Sequence, residues 1–336
     1  MKKQVTEVNR TAMVLVLCFV GLALIFLGII LSISYGTREV AGIDIIQGLF
    51  AREKMNIEQL IIWDYRFPRA ISAVLIGCFL ATSGAMMQGI TRNSLASPSI
   101  MGVNQGAVLA MAIYMSSQAI PATIVRVFFA FIGAAISAVF IFLLSLRRAN
   151  LDITRMLLAG SALGALFLSL ASMVALLTGN SKDLAFWMAG GFGSVNWSTV
   201  YLLLGASIIL PFALTLSPKI MIVSLGDEVA IGLGEKPNLI RFLAFICIVL
   251  LSGVAISVGG NIGFICLIVP HIARMGVGVD YRYVIPISMV FGGVLLVFSD
   301  VIARVIGNTG EIPVGSITSL IGVPVLIYLV RREKRT

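Results

Sequence analysis

Charge is scarce in this 336-residue chain. Asp, Glu, Lys and Arg together make up 12% of it, against 59% hydrophobic residues, where a soluble globular domain carries about 25% charged residues. That deficit excludes a water-solvated surface over most of the chain and makes a bilayer the expected solvent. Histidine is reduced to one residue, His271, too few for a metal centre or a relay of imidazoles. The four cysteines, Cys18, Cys78, Cys247 and Cys266, fall in apolar stretches without metal-ligand spacing; they read as buried thiols that behave as small hydrophobes. The chain contains no Gly-x-x-x-x-Gly-Lys-[Ser/Thr] phosphate loop, and no segment is long enough for a nucleotide-binding domain. If ATP drives this protein, a separate chain hydrolyses it. A membrane enzyme has no support either: no His/Asp/Glu cluster and no nucleophile with a nearby base stands out. No metal site or cofactor is expected.

What is present is a series of long charge-free stretches, among them Thr11–Thr37, Asn93–Val125, Leu184–Pro218 and Phe242–Ala273. A spanning helix needs roughly 20 apolar residues. Divided at internal Pro and Gly, with Pro98 and Pro121 bracketing one span, they give ten segments, near 12–34, 69–91, 99–117, 121–145, 153–178, 197–217, 240–258, 262–275, 284–306 and 312–330. The eighth is short enough for a partial or re-entrant helix. The first reads as a retained helix, since its apolar run exceeds a signal-peptide core and no clear small-residue cleavage site follows. The expectation is an all-α polytopic membrane protein of about ten transmembrane helices, one transmembrane domain over residues 1–336.

Ten spans place both termini on one side. With the termini inside, sixteen of the 24 Lys and Arg face inward and eight outward, the bias of the positive-inside rule. The net charge of +9 then belongs to the cytoplasmic face, and no nucleic-acid site is called for. The cell membrane, multi-pass with both termini cytoplasmic, is the expected location.

Local motifs mark three regions. In the inner loop 219–239, Leu225, Val229 and Leu233 recur every fourth residue on one face of a short helix. Asp227 and Glu228 suit its N-terminal dipole, and Gly234 and Pro237 stop it. This fits an amphipathic pair of short helices that docks a partner, or an interfacial helix lying on lipid. Arg92–Pro98 is a polar break between two helices; broken backbone at the membrane surface is buried in protein or lines water, and a plain helix connection is the alternative. Arg66-Phe67-Pro68-Arg69 precedes the second span, with Pro68 compatible with a first helical turn, and Arg304 ends the ninth, so all three arginines are expected at the outer surface. Asp300 and Arg304 form an i,i+4 pair rather than the paired midplane carboxylates of an ion-driven secondary transporter. Gly84, Gly89, Gly102, Gly106 and Gly160 allow close helix packing. His271, following Pro270, is expected at a helix break, hydrogen-bonded to loop carbonyls or a neighbouring chain. Met86, Met87 and Gln88 either face a pathway or pack in the core. Thr178–Ser181 forms a polar outer tip.

In order, Arg66–Arg69, Gly84–Pro98, Gly102–Ala107, Leu157–Gly160, Phe186–Gly190, Leu225–Gly234, Gly263–Arg274, Asp300–Arg304 and Glu311–Gly315 resemble the permease subunits of the iron-siderophore, haem and vitamin B12 ABC importers, the ten-helix type II architecture. The resemblance covers nearly the whole chain. It implies a second permease subunit, identical or paralogous, two ATPase subunits and an extracytoplasmic substrate-binding protein; a ferric siderophore is the expected ligand as the commonest class in the family, with haem or cobalamin as the alternative. It further implies that Arg66, Arg69 and Arg304 receive acidic residues of the binding protein. The resemblance also implies that Leu225, Gly226, Asp227, Glu228, Ala230, Gly232, Leu233 and Gly234 make the ATPase coupling element, and that Asn93 and Leu95, with Ile153 and Thr154, form the cytoplasmic gate.

Overall fold

The computed structural model describes residues 2–35, 57–99, 101–117, 123–147, 150–151, 153–307 and 312–333. Pro121, Arg148 and Glu311, singled out or counted above, lie outside the described residues, as does most of the loop 35–65.

Helices account for almost all of the described chain. They are α1 (Lys2–Ser34), α2 (Ile57–Ile61), α3 (Phe67–Thr91), α4 (Val103–Ser116), α5 (Thr123–Ser145), α6 (Ile153–Leu177), α7 (Ser181–Ala189), α8 (Trp197–Ala206), α9 (Ile209–Ser224), α10 (Asp227–Gly232), α11 (Pro237–Gly259), α12 (Ile265–Val277), α13 (Tyr281–Ile306) and α14 (Val314–Glu333). A two-residue antiparallel pair, β1 (Leu146–Arg147) with β2 (Asn150–Leu151), closes the connection between α5 and α6. Every one of the ten expected segments is helical. Seven spans among the described residues are long and apolar enough to cross a membrane. The third, eighth and tenth segments yield shorter apolar pieces; α12, with 13 residues, is about 20 Å long and does not bridge a hydrocarbon core of about 30 Å.

Burial sorts the helices into an axis and a periphery. The span Gln59–Thr91 is 83% buried and α11 67%, whereas the spans of α1 and α6 are each 17% buried. α3 therefore runs through the centre, packed by α13, α11, α12 and α9, while α1 and α6 turn most of their apolar side chains outward. Backbone contact makes the centre this dense. A methyl on Gly77 would collide with the Gly292 carbonyl of α13, and one on Gly84 with the Cys266 carbonyl of α12; Gly102 and Gly106 meet Gly160 and Gly133 in the same way. Gly89 differs from this expectation, since it makes room for the Ile220 and Tyr281 side chains rather than for a backbone.

Prolines shape the bundle without ending its helices. Pro68 lies in the first turn of α3, as expected, and a π-helical turn, Ile62–Arg66, precedes it and continues the helix back to α2. Proline offers no N–H to a helical ladder, and the widened turn before it takes up the mismatch. Stacking of Trp63 on Phe67, and of both on Trp197, holds this extension in place. Nor does Pro270 break a helix; α12 runs through it. The carbonyl it leaves without a helical donor, that of Cys266, accepts 3.1 Å from Gln88 Nε2. Pro218 in α9 is treated alike, with Ser217 Oγ donating to the freed Leu214 carbonyl at 2.7 Å.

Candidate functional site

The two ends of α3 lie at opposite ends of the bundle, and each carries a carboxylate held by two arginines. At the C-terminal end, Arg92 caps α3 in the left-handed region, φ 53°, a conformation that costs a non-glycine residue about 1 kcal/mol or more. The chain then turns: the Leu95 N–H donates to Asn93 Oδ1 at 2.9 Å, an Asx turn, and the Ala96 N–H to the Asn93 carbonyl at 3.1 Å. Asn93 and Leu95 are exposed, and Ala96, Ser97 and Pro98 are buried beneath them. Ile153 and Thr154, the other half of the expected gate, open α6 with Thr154 exposed. The tight contact joining these two parts of the chain lies further along, where Gly102 meets Gly160.

Between α9 and α11 the chain forms α10. Gly226 (φ 130°) and Gly234 (φ 81°) bound it in conformations that favour glycine, and Asp227 and Glu228 occupy its first turn. The residues of the expected face, Leu225, Val229 and Leu233, are 56, 46 and 62% exposed, and Ile231, on another side of the helix, is 64% exposed. Ala230 alone is fully buried and anchors the helix. A side chain on Gly232 would meet nothing.

Asp227 is not part of the open face. Its carboxylate takes a two-point grip from Arg241 of α11, at 2.6 and 2.9 Å, and a further ion pair from Arg92. The Arg241 side chain is 6% exposed, those of Arg92 and Asp227 40 and 45%. Hydrogen bonds from Arg241, and then attraction by Arg241 and Arg92, hold the Asp227 carboxyl below the usual carboxylate range against an opposing effect of burial. Neither arginine is an expected partner of Asp227 in sequence, and the α10 pattern gives no sign of them.

At the opposite end the expectation of exposed arginines is corrected. Arg66, Arg69 and Arg304 are 5, 8 and 7% exposed. The reason is the end of α1. Its last carbonyls have no intrahelical donor, and the two guanidinium groups supply one: Arg66 donates to the Ile33 carbonyl at 2.7 Å and to Ser34 at 3.2 Å, and Arg304 to Ser32 at 2.9 Å and Tyr35 at 3.2 Å. Asp300, fully buried, pairs with Arg69 at 2.9 Å and with Arg304 at 3.0 Å. The i,i+4 pair is therefore present, with a second cation from α3 that sequence spacing does not reveal.

Beside this cluster lies a cavity of about 560 Å³, with Arg69 and Arg126 on its wall among Tyr114, Asp183, Trp187 and Gly260. The tip Thr178–Ser181 precedes α7, which contributes to this wall, and Asn180 donates to the Met115 carbonyl at 3.1 Å. Met86, Met87 and Gln88 are fully buried. His271 is half-buried, with Nδ1 3.5 Å from the Arg274 guanidinium on its own helix, and Arg274 also pairs with Gln88. No group of three metal-ligating side chains occurs among the described residues.

This helical membrane bundle is that of an ABC importer permease, a transport subunit and not itself an enzyme. The chain belongs to the FecCD transport family, whose model matches residues 12–332. It is 39% identical to the iron(3+)-hydroxamate import system permease protein FhuB of Bacillus subtilis, over 99% of this chain and 87% of that one. To the Fe(3+)-citrate import system permease protein YfmD of the same organism it is 37% identical, over 97% of each. Among solved structures it superposes on a metal-chelate type ABC transporter in an inward-facing conformation with a TM-score of 0.83, at 26% identity, over 94% of this chain and 98% of that chain.

Proposed function

We propose that this protein is the membrane-spanning subunit through which an ATP-driven importer moves a ferric siderophore across the cytoplasmic membrane, with both termini in the cytoplasm. The ligand follows from the relatives, which carry ferric hydroxamate and ferric citrate. The orientation follows from the excess of Lys and Arg on the side of Arg92, Lys219, Lys236 and Arg241. The whole chain, 1–336, acts as one transmembrane domain, paired with a second permease that is identical or paralogous, two ATPase subunits and an extracytoplasmic binding protein.

The observation that carries the mechanism is the exposed apolar face of α10. Leu225, Val229, Ile231 and Leu233 are largely exposed, and they sit in the loop 219–239 on the side where ATPase subunits would bind. Docking there buries them and transmits nucleotide-driven movement to the exit, where Asn93, Leu95, Ile153 and Thr154 form the gate. Arg66, Arg69 and Arg304 act on the outer side from below the surface. Arg66 and Arg304 fix the end of α1 and Arg69 faces the cavity, and this outer end receives the binding protein.

Proteoliposomes that contain this chain with the neighbouring permease, ATPase and binding protein test the reading. Uptake of a ferric hydroxamate or ferric citrate should require ATP and the binding protein and ignore an imposed proton or sodium gradient. Uptake driven by the gradient without ATP refutes an ABC importer.

A further inference from the structure

Asp227 is an unusual resident of a docking helix. The other acidic residue of its first turn, Glu228, is exposed, and Val229 and Ile231 of α10 project outward. Asp227 turns back. Its two oxygens accept from Arg241, whose guanidinium is buried in α11, and one of them also meets Arg92. Arg92 is the last residue of the central helix before the turn that holds Asn93 and Leu95, and it carries one of two left-handed non-glycine conformations among the described residues. One carboxylate thus joins three elements: the α10 helix, a rigid base in α11, and the strained hinge at which α3 ends.

We infer that Asp227 is a positioning residue that couples α10 to the cytoplasmic exit: when α10 shifts, its carboxylate draws Arg92 and turns the Arg92–Pro98 segment. This rests on the reading of α10 as the ATPase-docking element and deepens it by naming the connection. The two halves of the triad have different duties. The Arg241 grip comes from a buried guanidinium and is two-pronged and geometrically fixed, so it makes α10 pivot about a defined point. The Arg92 contact is half-exposed and single, weak enough to break and reform during a transport cycle. The left-handed backbone at Arg92 adds a second condition. It is a conformation that persists only where its surroundings hold it, and the pull of Asp227 is one such hold. Release of that ion pair lets Arg92 relax toward the right-handed region, which redirects the chain at Asn93.

The test uses the complete complex, with a single reporter cysteine at Asn93 in an otherwise cysteine-free background, and compares thiol labelling in nucleotide-free and ATP-trapped states. In the parent complex, labelling should differ between the two. Arg92→Gln leaves the Arg241–Asp227 pair intact and removes only the link to the hinge. It should still assemble with the ATPase and hydrolyse ATP, while the nucleotide-dependent difference in labelling collapses and uptake per ATP falls by about tenfold, the ordinary size of a coupling between sites. Arg92→Lys should restore much of both. Asp227→Asn should act in the same direction and also loosen α10. Retention of the full labelling difference and of uptake per ATP in Arg92→Gln overturns the coupling role while leaving the importer reading intact. Absence of any nucleotide-dependent labelling in the parent complex overturns both the gate and the coupling built on it.

Discussion

Asp300 and Asp227 are the same device in two settings. Each is a carboxylate shared by two arginines at an end of the α3 axis. Around Asp300 the side chains are 0, 10 and 6% exposed, and the Arg304 guanidinium also closes the carbonyl end of α1. Around Asp227 only Arg241 is buried. The first cluster has no water to fall back on, so its parts cannot separate without leaving a charge stranded in a low dielectric. In the second, Arg92 and Asp227 can each exchange the other for solvent at small cost. The same chemistry therefore builds a clamp where α1, α3 and α13 must stay together, and a linkage where a short helix has to move.

Four measurements break or sharpen this contrast. The largest effect is expected for Asp300→Ala, which strands Arg69 and Arg304 and should cost about 3–5 kcal/mol, read as a lowered thermal midpoint and lower yield of detergent-purified permease. A variant as stable as the parent removes the clamp. Next, Arg304→Ala leaves the Ser32 and Tyr35 carbonyls without donors and should cost about 1–3 kcal/mol; Arg92→Ala, at the other end, should cost about 1 kcal/mol or less. Equal losses from the two would erase the distinction. A smaller change is expected for Gly232→Ala, where open space admits the methyl and a better helix former stabilises α10 by about 0.5–1 kcal/mol. ATPase association, measured by co-purification, should nevertheless weaken, since the new methyl lies in the docking surface; unchanged association argues that the ATPase binds elsewhere. The smallest concerns pH. Because the Asp227 carboxyl is held below its ordinary value of 3.8, the linkage contributes fully above that value and is lost as pH falls through the depressed one. Hydrogen exchange in residues 227–233, corrected for its intrinsic pH dependence, should therefore show constant protection from pH 6 to 8, and loss of protection within that window would mean that another group controls α10.

The bundle was open to reading from the sequence because a lack of charge is a signal that each segment carries by itself. The fifth segment, expected at 153–178, is the helix Ile153–Leu177. The α10 face was readable for the same reason: its period is local, and its bounding glycines lie within a few residues. What escaped depends on distant partners. Arg66 binds carbonyls 33 residues away and Arg69 a carboxylate 231 residues away, so charges that look like surface features from their neighbours are interior ones in the bundle. Pro270 misled in the opposite sense. It suggests a break, yet a glutamine from another helix meets the missing hydrogen bond and the helix continues.

That glutamine has a consequence for how the protein is made. α12 is too short to cross the bilayer unaided, its Cys266 carbonyl has no donor of its own, and its Arg274 guanidinium lies on the same side; Gln88 of α3 serves both. In lipid alone, such a segment would present an unsatisfied carbonyl and a charge to hydrocarbon. During synthesis, therefore, α12 is a poor independent entrant to the membrane. It becomes acceptable only beside α3, which leaves the ribosome 178 residues earlier. The insertion machinery must keep the first half of this chain close at hand, and ungathered, until the second half arrives.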